Sequence, residues 1–448
     1  EEPRPLTVDE LQRRWLRPDE TLLAYYRLKQ QLLVFLVSRE TFRLVRVPVE
    51  MAEVDRLVAE ARRPMENGGR VDALARLDPG VLNGLYELLL KPVEADLPAG
   101  RKLLLVGDGP LYTLPYEMLV RRWNEADRQA FAQARKPDLS EYGRLDYAGG
   151  QWRFSYLPSL AALAIQRGQG PARTGASGNL IAFADPVFES ADQQPAAAAR
   201  ALLRELGASR GGRVSIPRLP ETAEEVEAVA AILGGPHQLY LRDDAQESRV
   251  KRSDLGAARY LHFATHGLLG GEFALLKGYA ASAEAAGVQG TRALEVVDEG
   301  EPPVIAAAAP ARGEPALVLT LVGDLAGEDG LLTMSEVMGL KMNAELVVLS
   351  ACNSAGERVE TRSGEGFAGL SRAFMHAGAR GLLVSHWSVE SLATRDLVTD
   401  FFRRLKAGTA TAEALAAAQA ELRAGRDGQL RLARAHPFFW APFVHVGE

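Results

Sequence analysis

The chain has 448 residues, 47% hydrophobic and 25% charged, with a formal net charge of −6; this is a folded globular composition, and the length predicts two or three domains because single cores stop growing near ~250–300 residues. The acidic balance excludes nucleic acid as a principal partner, since phosphate binding needs a basic footprint. A single cysteine excludes an intramolecular disulfide and any multi-cysteine metal site, and it suits a reducing, cytoplasmic compartment. Apolar runs such as LLVFLV at 32–37 fall well short of the ~20 residues of a membrane helix, so no membrane partner is expected. No secretory signal is visible, and the absence of a methionine at Glu1 predicts that an upstream segment has been removed.

LTVDELQRRWL (6–16) predicts a helix capped by Thr7 ahead of an acidic first turn. LLAYYRL and QLLVFLV predict paired strands, and FRLVRVPV a third. VLNGLYELLLKPVEADL carries apolar residues at helical spacing, and KLLLVGDG reads as a buried strand ending in a turn. The small, polar, glycine-rich stretch from 166 predicts a linker, 166–178, between an amino-terminal half, 1–165, and a second half, 179–448.

Beyond the linker the alternation restarts. NLIAFADPVF predicts a strand ending at Asp185, PETAEEVEAVAAIL a helix capped at Thr222 or Glu221, HQLYLRDD a strand and ESRVKRSDLG a helix. RYLHFATHG and ELVVLSAC read as strands, EGFAGLSRAFMHAGA as a helix, GLLVSHW as a strand, and ATRDLVTDFFRRLKAG and TAEALAAAQAELRAG as helices. HPFFWAPFVHVG predicts an edge strand, and the alanine-, glycine- and acid-rich block 271–313 an insertion. Apolar strands alternating with helices predict a mostly parallel sheet covered on both faces.

Cys352 follows the strand-forming run Val347, Val348, Leu349, at the carboxyl end where open α/β sheets gather catalytic groups. Free cysteines often only fill core space; the second histidine-bearing strand argues otherwise. Alternation sets His262 inside RYLHFATHG as a hydrogen-bonded core residue, and His266 at its exit, before a glycine suited to a sharp turn. The two imidazoles do not suit one metal ion, because four residues along a strand separate them by roughly 13 Å. His266 can instead serve as base for Cys352, since a free thiol with a pKa near ~8.5 is mostly protonated at neutral pH. Backbone N–H groups of Gly267 and Cys352 are the candidate oxyanion donors.

HFATHG, LSACNS, GEGFAGLSRAFMHAGARGLLVSHWSV and HPFFWAPFVHVG together resemble the CHAT domain of the caspase-like cysteine peptidases, the group of separase, gingipain and legumain. LYELLLKPVEADL, LLLVGDGPLYTLPYEML and SYLPSLAALA extend the resemblance upstream. It implies a caspase-like three-layer α/β/α sandwich with a mostly parallel sheet, preceded by a smaller, catalytically silent caspase-like half. It implies a dyad carried here by Cys352 and His266, and an upstream repeat or sensor segment. Two departures stand out. The spacing from His266 to Cys352 exceeds the ~50 residues of the caspase pattern, which the block 271–313 absorbs, and His386 stands where the family often has leucine, a position we read as structural.

For substrate binding, Asp185, Glu365 and Glu390 lie near strand ends, and converging carboxylates would favour a basic side chain before the cut. Asp185 is equally placed to orient His266. Arg292, Arg312 and Arg362 are candidate self-processing sites. GDGPLY lacks the phosphate-loop series, and Ser354 and Ser385 lack a hydrolase elbow. The reading is a cysteine endopeptidase that cuts a protein substrate in a bacterial regulatory or defence pathway, needing no cofactor or metal. The rival is a catalytically silent scaffold of the same fold.

Overall fold

The structure, a computed structural model, describes residues 6–66, 71–168, 178–189, 213–216, 218–268, 295–297, 315–350, 365–387, 391–425 and 433–447. Cys352, Glu390, Arg292, Arg312 and Arg362 lie outside the described residues, as does most of 271–313.

In the amino-terminal half, Thr7 and Glu10 close the expected capping box, with Glu10 N donating to Thr7 Oγ1 at 3.2 Å and Thr7 N to Glu10 Oε2 at 3.0 Å. Three strands follow: β1 (Glu20–Leu28), β2 (Gln31–Val37) and β3 (Phe42–Pro48), antiparallel neighbours with β1 paired in parallel to β4 (Lys102–Val106). The inner face of this meander, including Leu23, Tyr25, Leu32, Val34 and Leu36, is buried, as alternation requires. A helix at Met51–Glu66 covers it, burying Val54, Leu57, Val58, Ala61 and Met65. Its apolar spacing of three and four residues was readable in the sequence, but no helix was assigned there. The half ends with β5 (Arg153–Tyr156) and a helix, Leu160–Gly168. Residues 166–168, expected to begin the linker, therefore close a helix, and Gln166 is buried with Nε2 donating to Arg380 O at 3.0 Å.

The second half supplies β6 (Gly178–Ala184), β7 (Arg213–Ser215), β8 (His237–Leu241), β9 (Ala258–Ala264), β10 (His266–Leu268), β11 (Glu295–Val297), β12 (Ala316–Val318), β13 (Leu331–Thr333), β14 (Leu346–Leu349), β15 (Gly381–Ser385) and β16 (Phe443–Gly447). An eleven-stranded sheet runs β3-β2-β1-β4-β5-β16-β15-β14-β9-β6-β8, parallel except along β1–β2–β3 and between β15 and β16. This is the expected mixed α/β architecture with a mostly parallel sheet. Part of the block expected as an insertion also joins a ladder: β11 pairs antiparallel with β7.

The two halves share this sheet and one hydrophobic cluster, which runs from Leu23 to Val446. Their seam is β16, antiparallel to β15 and parallel to β5 through Val446 and Tyr156. The expectation of an edge strand at 436–447 is overturned: Pro437–Trp440 forms a short helix and Phe443–Gly447 a central strand buried throughout. The physical cause is closure. The end of the chain fills the gap between two partial sheets, so its residues are apolar on both faces. His445 is accommodated there by a 2.9 Å hydrogen bond between Nδ1 and Ser155 Oγ, and burial holds it neutral, at about 3. Another correction concerns the helix Glu221–Leu233, whose N-cap is Pro220 without a side-chain hydrogen bond. Thr222 instead accepts from Asp185 N at 2.8 Å and donates to Leu219 O at 2.7 Å.

Candidate active site

β14 and β9 are parallel neighbours in register Val348 to His262 and Leu349 to Phe263, and Ser350 N extends the ladder by donating to Phe263 O at 3.1 Å. β6 flanks β9 with Ala184 opposite Ala264. Three carboxyl ends thus meet on one rim of the sheet, where such folds place chemistry. Past Ala264 the chain bends at Thr265, whose hydroxyl donates to Val318 O, and continues as β10 beside β12. The sharp turn expected at Gly267 is therefore two residues earlier, at Thr265; Gly267 is the middle of β10, opposite Leu317, and is partly exposed. His266 is 1% exposed, with the Phe188 ring 5.1 Å from its own. That aromatic contact was not foreseen; the signal was the apolar end of NLIAFADPVF, one strand away.

His262 is the buried, hydrogen-bonded core histidine expected from its place inside the strand. Its Nε2 lies 2.9 Å from Ser350 Oγ and 2.9 Å from Glu225 Oε1, while Ser350 Oγ donates to the same carboxylate oxygen at 2.8 Å. All three side chains are fully buried. Glu225 has no signal in the sequence, because a polar residue on a helix reads as solvated until the sheet it faces is known, and Ser350 has none because a small residue after a strand belongs to no motif.

Asp185 lies at the end of β6 with its carboxylate 1% exposed and its backbone in the left-handed region, φ 50°. It accepts two hydrogen bonds from Arg218, at 2.8 and 2.5 Å, and Arg242 approaches to 3.5 Å. Its charge is engaged by the chain's own arginines. Glu365 begins the helix Glu365–His376. His386 is fully buried, its ring 6.3 Å from that of Tyr156; burial and then the charge of Arg62 hold its imidazole well below the ordinary protonation range. Its carbonyl accepts from Arg62 at 3.2 Å, so the position is structural, as expected.

Among the described residues, Glu247, Glu328 and Glu336 form a carboxylate group close enough to hold a cation. Lys251 Nζ sits among them at 2.6, 2.7 and 2.8 Å and supplies the positive charge itself. No helix among the described residues is long and apolar enough to cross a membrane.

Comparison with known proteins adds a family and a fold. The family model described as CHAT domain matches residues 80–448. Tetratricopeptide repeat protein 28 of Homo sapiens is 25% identical over 379 residues, covering 82% of this chain and 13% of that protein. The Mus musculus protein of that name is 25% identical over 374 residues with the same coverage, so the chain spans only 13% of the length of these relatives. The crystal structure of the Saccharomyces cerevisiae separase–securin complex matches over 98% of this chain and 31% of that chain, with a TM-score of 0.51 and 10% sequence identity. That likeness is one of fold.

Proposed function

This chain belongs to the CHAT domain family, and from that membership we propose that it is a cysteine endopeptidase acting through Cys352 and His266. One observation carries the reading. β14 and β9 are in register at Leu349 and Phe263, and by count along the chain Cys352 lies three residues beyond the first and His266 three beyond the second. Neighbouring strands are ~4.8 Å apart, so the two chains leave the rim side by side, with His266 one residue past the bend at Thr265.

The Cys352 sulfur, ionised by His266, attacks the scissile carbonyl; backbone N–H groups of Cys352 and Gly267 receive the oxyanion, and His266 protonates the leaving amine. Water, deprotonated by His266, then hydrolyses the thioester. The substrate is a protein cut at few sites in a bacterial regulatory or defence pathway. Because Asp185 is held by Arg218 and Arg242, recognition of a basic side chain before the cut falls to Glu365 and Glu390. The name of the matched relatives supports a tetratricopeptide-type repeat as the controlling segment in the same polypeptide.

A peptide-library digest with Cys352→Ala as control tests the activity: cleavage by wild type alone, enriched after arginine or lysine, is expected, and identical digests remove it. The near-complete burial of His266 favours the rival, a silent scaffold. Iodoacetamide separates the two, since a thiol alkylated no faster than free cysteine, and unaffected by His266→Ala, supports the scaffold. Intact mass after long incubation, wild type beside Cys352→Ala, tests self-cleavage at Arg292, Arg312 or Arg362.

A further inference from the structure

We propose that Glu225, His262 and Ser350 form a buried brace that ties together the two strands leading to the dyad and so aims the nucleophile; the inference rests on the cysteine-peptidase reading. The three residues come from different elements: Glu225 from the helix Glu221–Leu233, His262 from β9, and Ser350 from the residue that follows β14. Their polar atoms form a triangle with sides of 2.8, 2.9 and 2.9 Å. Desolvating such a group is costly, and an apolar trio of similar size would fill the space at less expense. What the polar trio adds is direction, since hydrogen bonds fix distances and angles that apolar packing leaves free.

Donors and acceptors set the protons. With Glu225 ionised, Ser350 donates to it and its own oxygen is left to accept, so the hydrogen of His262 Nε2 faces both. Nδ1 of His262 is buried without a hydrogen-bond partner. This is not a serine-hydrolase relay, in which acid and serine use opposite nitrogens of the ring. Here both meet the same nitrogen, and no member is exposed to solvent.

Placement makes the brace a positioning device. Ser350 is held through its backbone by Phe263 and through its side chain by His262 and Glu225. Cys352 is two residues further on, and two residues span at most ~7 Å, so displacement of Ser350 carries over to the sulfur. His262 lies on the other braced strand, β9, and His266 is four residues further on, past the bend at Thr265. One carboxylate thus references both members of the dyad to the same helix.

Because the chain has one cysteine, the pH dependence of iodoacetamide alkylation reports Cys352 alone. The experiment compares wild type with Ser350→Ala, Glu225→Gln and His266→Ala, each confirmed folded by far-UV circular dichroism. Ser350→Ala and Glu225→Gln are expected to displace the alkylation profile toward that of His266→Ala. On a peptide cleaved by wild type they are expected to lower kcat by about ten- to a hundredfold, with KM within about twofold. A merely structural trio would lower the urea midpoint and leave both the profile and the kcat of the folded protein unchanged, which overturns the brace. If His266→Ala itself alkylates like wild type, the dyad reading falls and takes the brace with it. If only His266→Ala differs, the brace alone is refuted. Glu225→Gln preserves shape and Ser350→Ala deletes one atom, so failure of either to fold leaves the other as the test.

Discussion

Asp185 shows how a residue legible in the sequence acquires a different partner in space. Its position at a strand end was readable, and its φ of 50° is one that aspartate tolerates better than most residues. Its arginines were not, because Arg218 and Arg242 reach it from separate segments. Asp185→Asn keeps the backbone preference and removes the charge; since both arginines are well exposed, we expect a loss of only about 1–2 kcal/mol in urea unfolding. Cleavage preference for a basic residue should survive in Asp185→Asn and weaken in Glu390→Gln. The opposite pattern in a peptide digest would return Asp185 to the substrate pocket. Two buried carboxylates shift in opposite directions. Burial pushes Glu117 up to about 7, with Tyr156 donating to it at 2.6 Å; its stabilising contribution is full below the unfolded value of 4.5 and lost as pH rises through 7. For Glu20 burial acts upward too, but Arg167 and Lys102 outweigh it and draw it down to about 2, so its contribution is present above 4.5 and lost as pH falls toward 2. Glu117→Gln should therefore remove a decline of up to about 3 kcal/mol between about pH 4.5 and about pH 7, seen as converging urea midpoints. A decline of unchanged size in the variant refutes the assignment.

At the scale of elements, legibility followed the pattern each environment imposes. β9 and β14 were readable because strands buried on both faces are continuous apolar runs ending in small residues. The dyad candidates were visible for the same reason, as the only cysteine and a histidine at comparable exits. HPFFWAPFVHVG reads as an edge strand, yet the ladder places β16 between β5 and β15. No local pattern encodes which strands a terminal segment will separate. The brace was hidden likewise: Ser350 belongs to no motif, and Glu225 sits among the acidic residues of a helix that otherwise looks solvated. The central position of β16 has a mechanical consequence. A chain ending at Ala441 lacks the strand that joins the halves and exposes the ladder edges of β5 and β15. We expect it to lose cooperative unfolding by circular dichroism, whereas removal of β3, which lies at the sheet's edge, should leave a cooperative transition. A truncated chain that unfolds with the wild-type midpoint would show that the seam is dispensable.

For the whole molecule, two halves that share one sheet and one core should unfold together. Arg62 makes the coupling concrete. It is fully buried on a helix of the amino-terminal half, ion-paired to Glu66 at 2.8 Å, and it donates both to Thr113 O and to His386 O at the end of β15. The amino-terminal half thereby reaches the strand next to β14, and deleting the guanidinium removes hydrogen bonds to buried carbonyls of both halves. Tryptophans permit a direct measurement, since Trp152 belongs to one half and Trp387 to the other, each 1% exposed. In variants whose only tryptophan is one of these two, fluorescence midpoints in urea should coincide with each other and with circular dichroism. Adding Arg62→Ala should lower both midpoints together, by a loss of about 2–4 kcal/mol. Independent domains would give two separated midpoints, with only the Trp152 signal moved by Arg62→Ala. Coincident midpoints would instead mean that anything stressing the amino-terminal half is felt at β9 and β14, the strands that precede the proposed dyad residues.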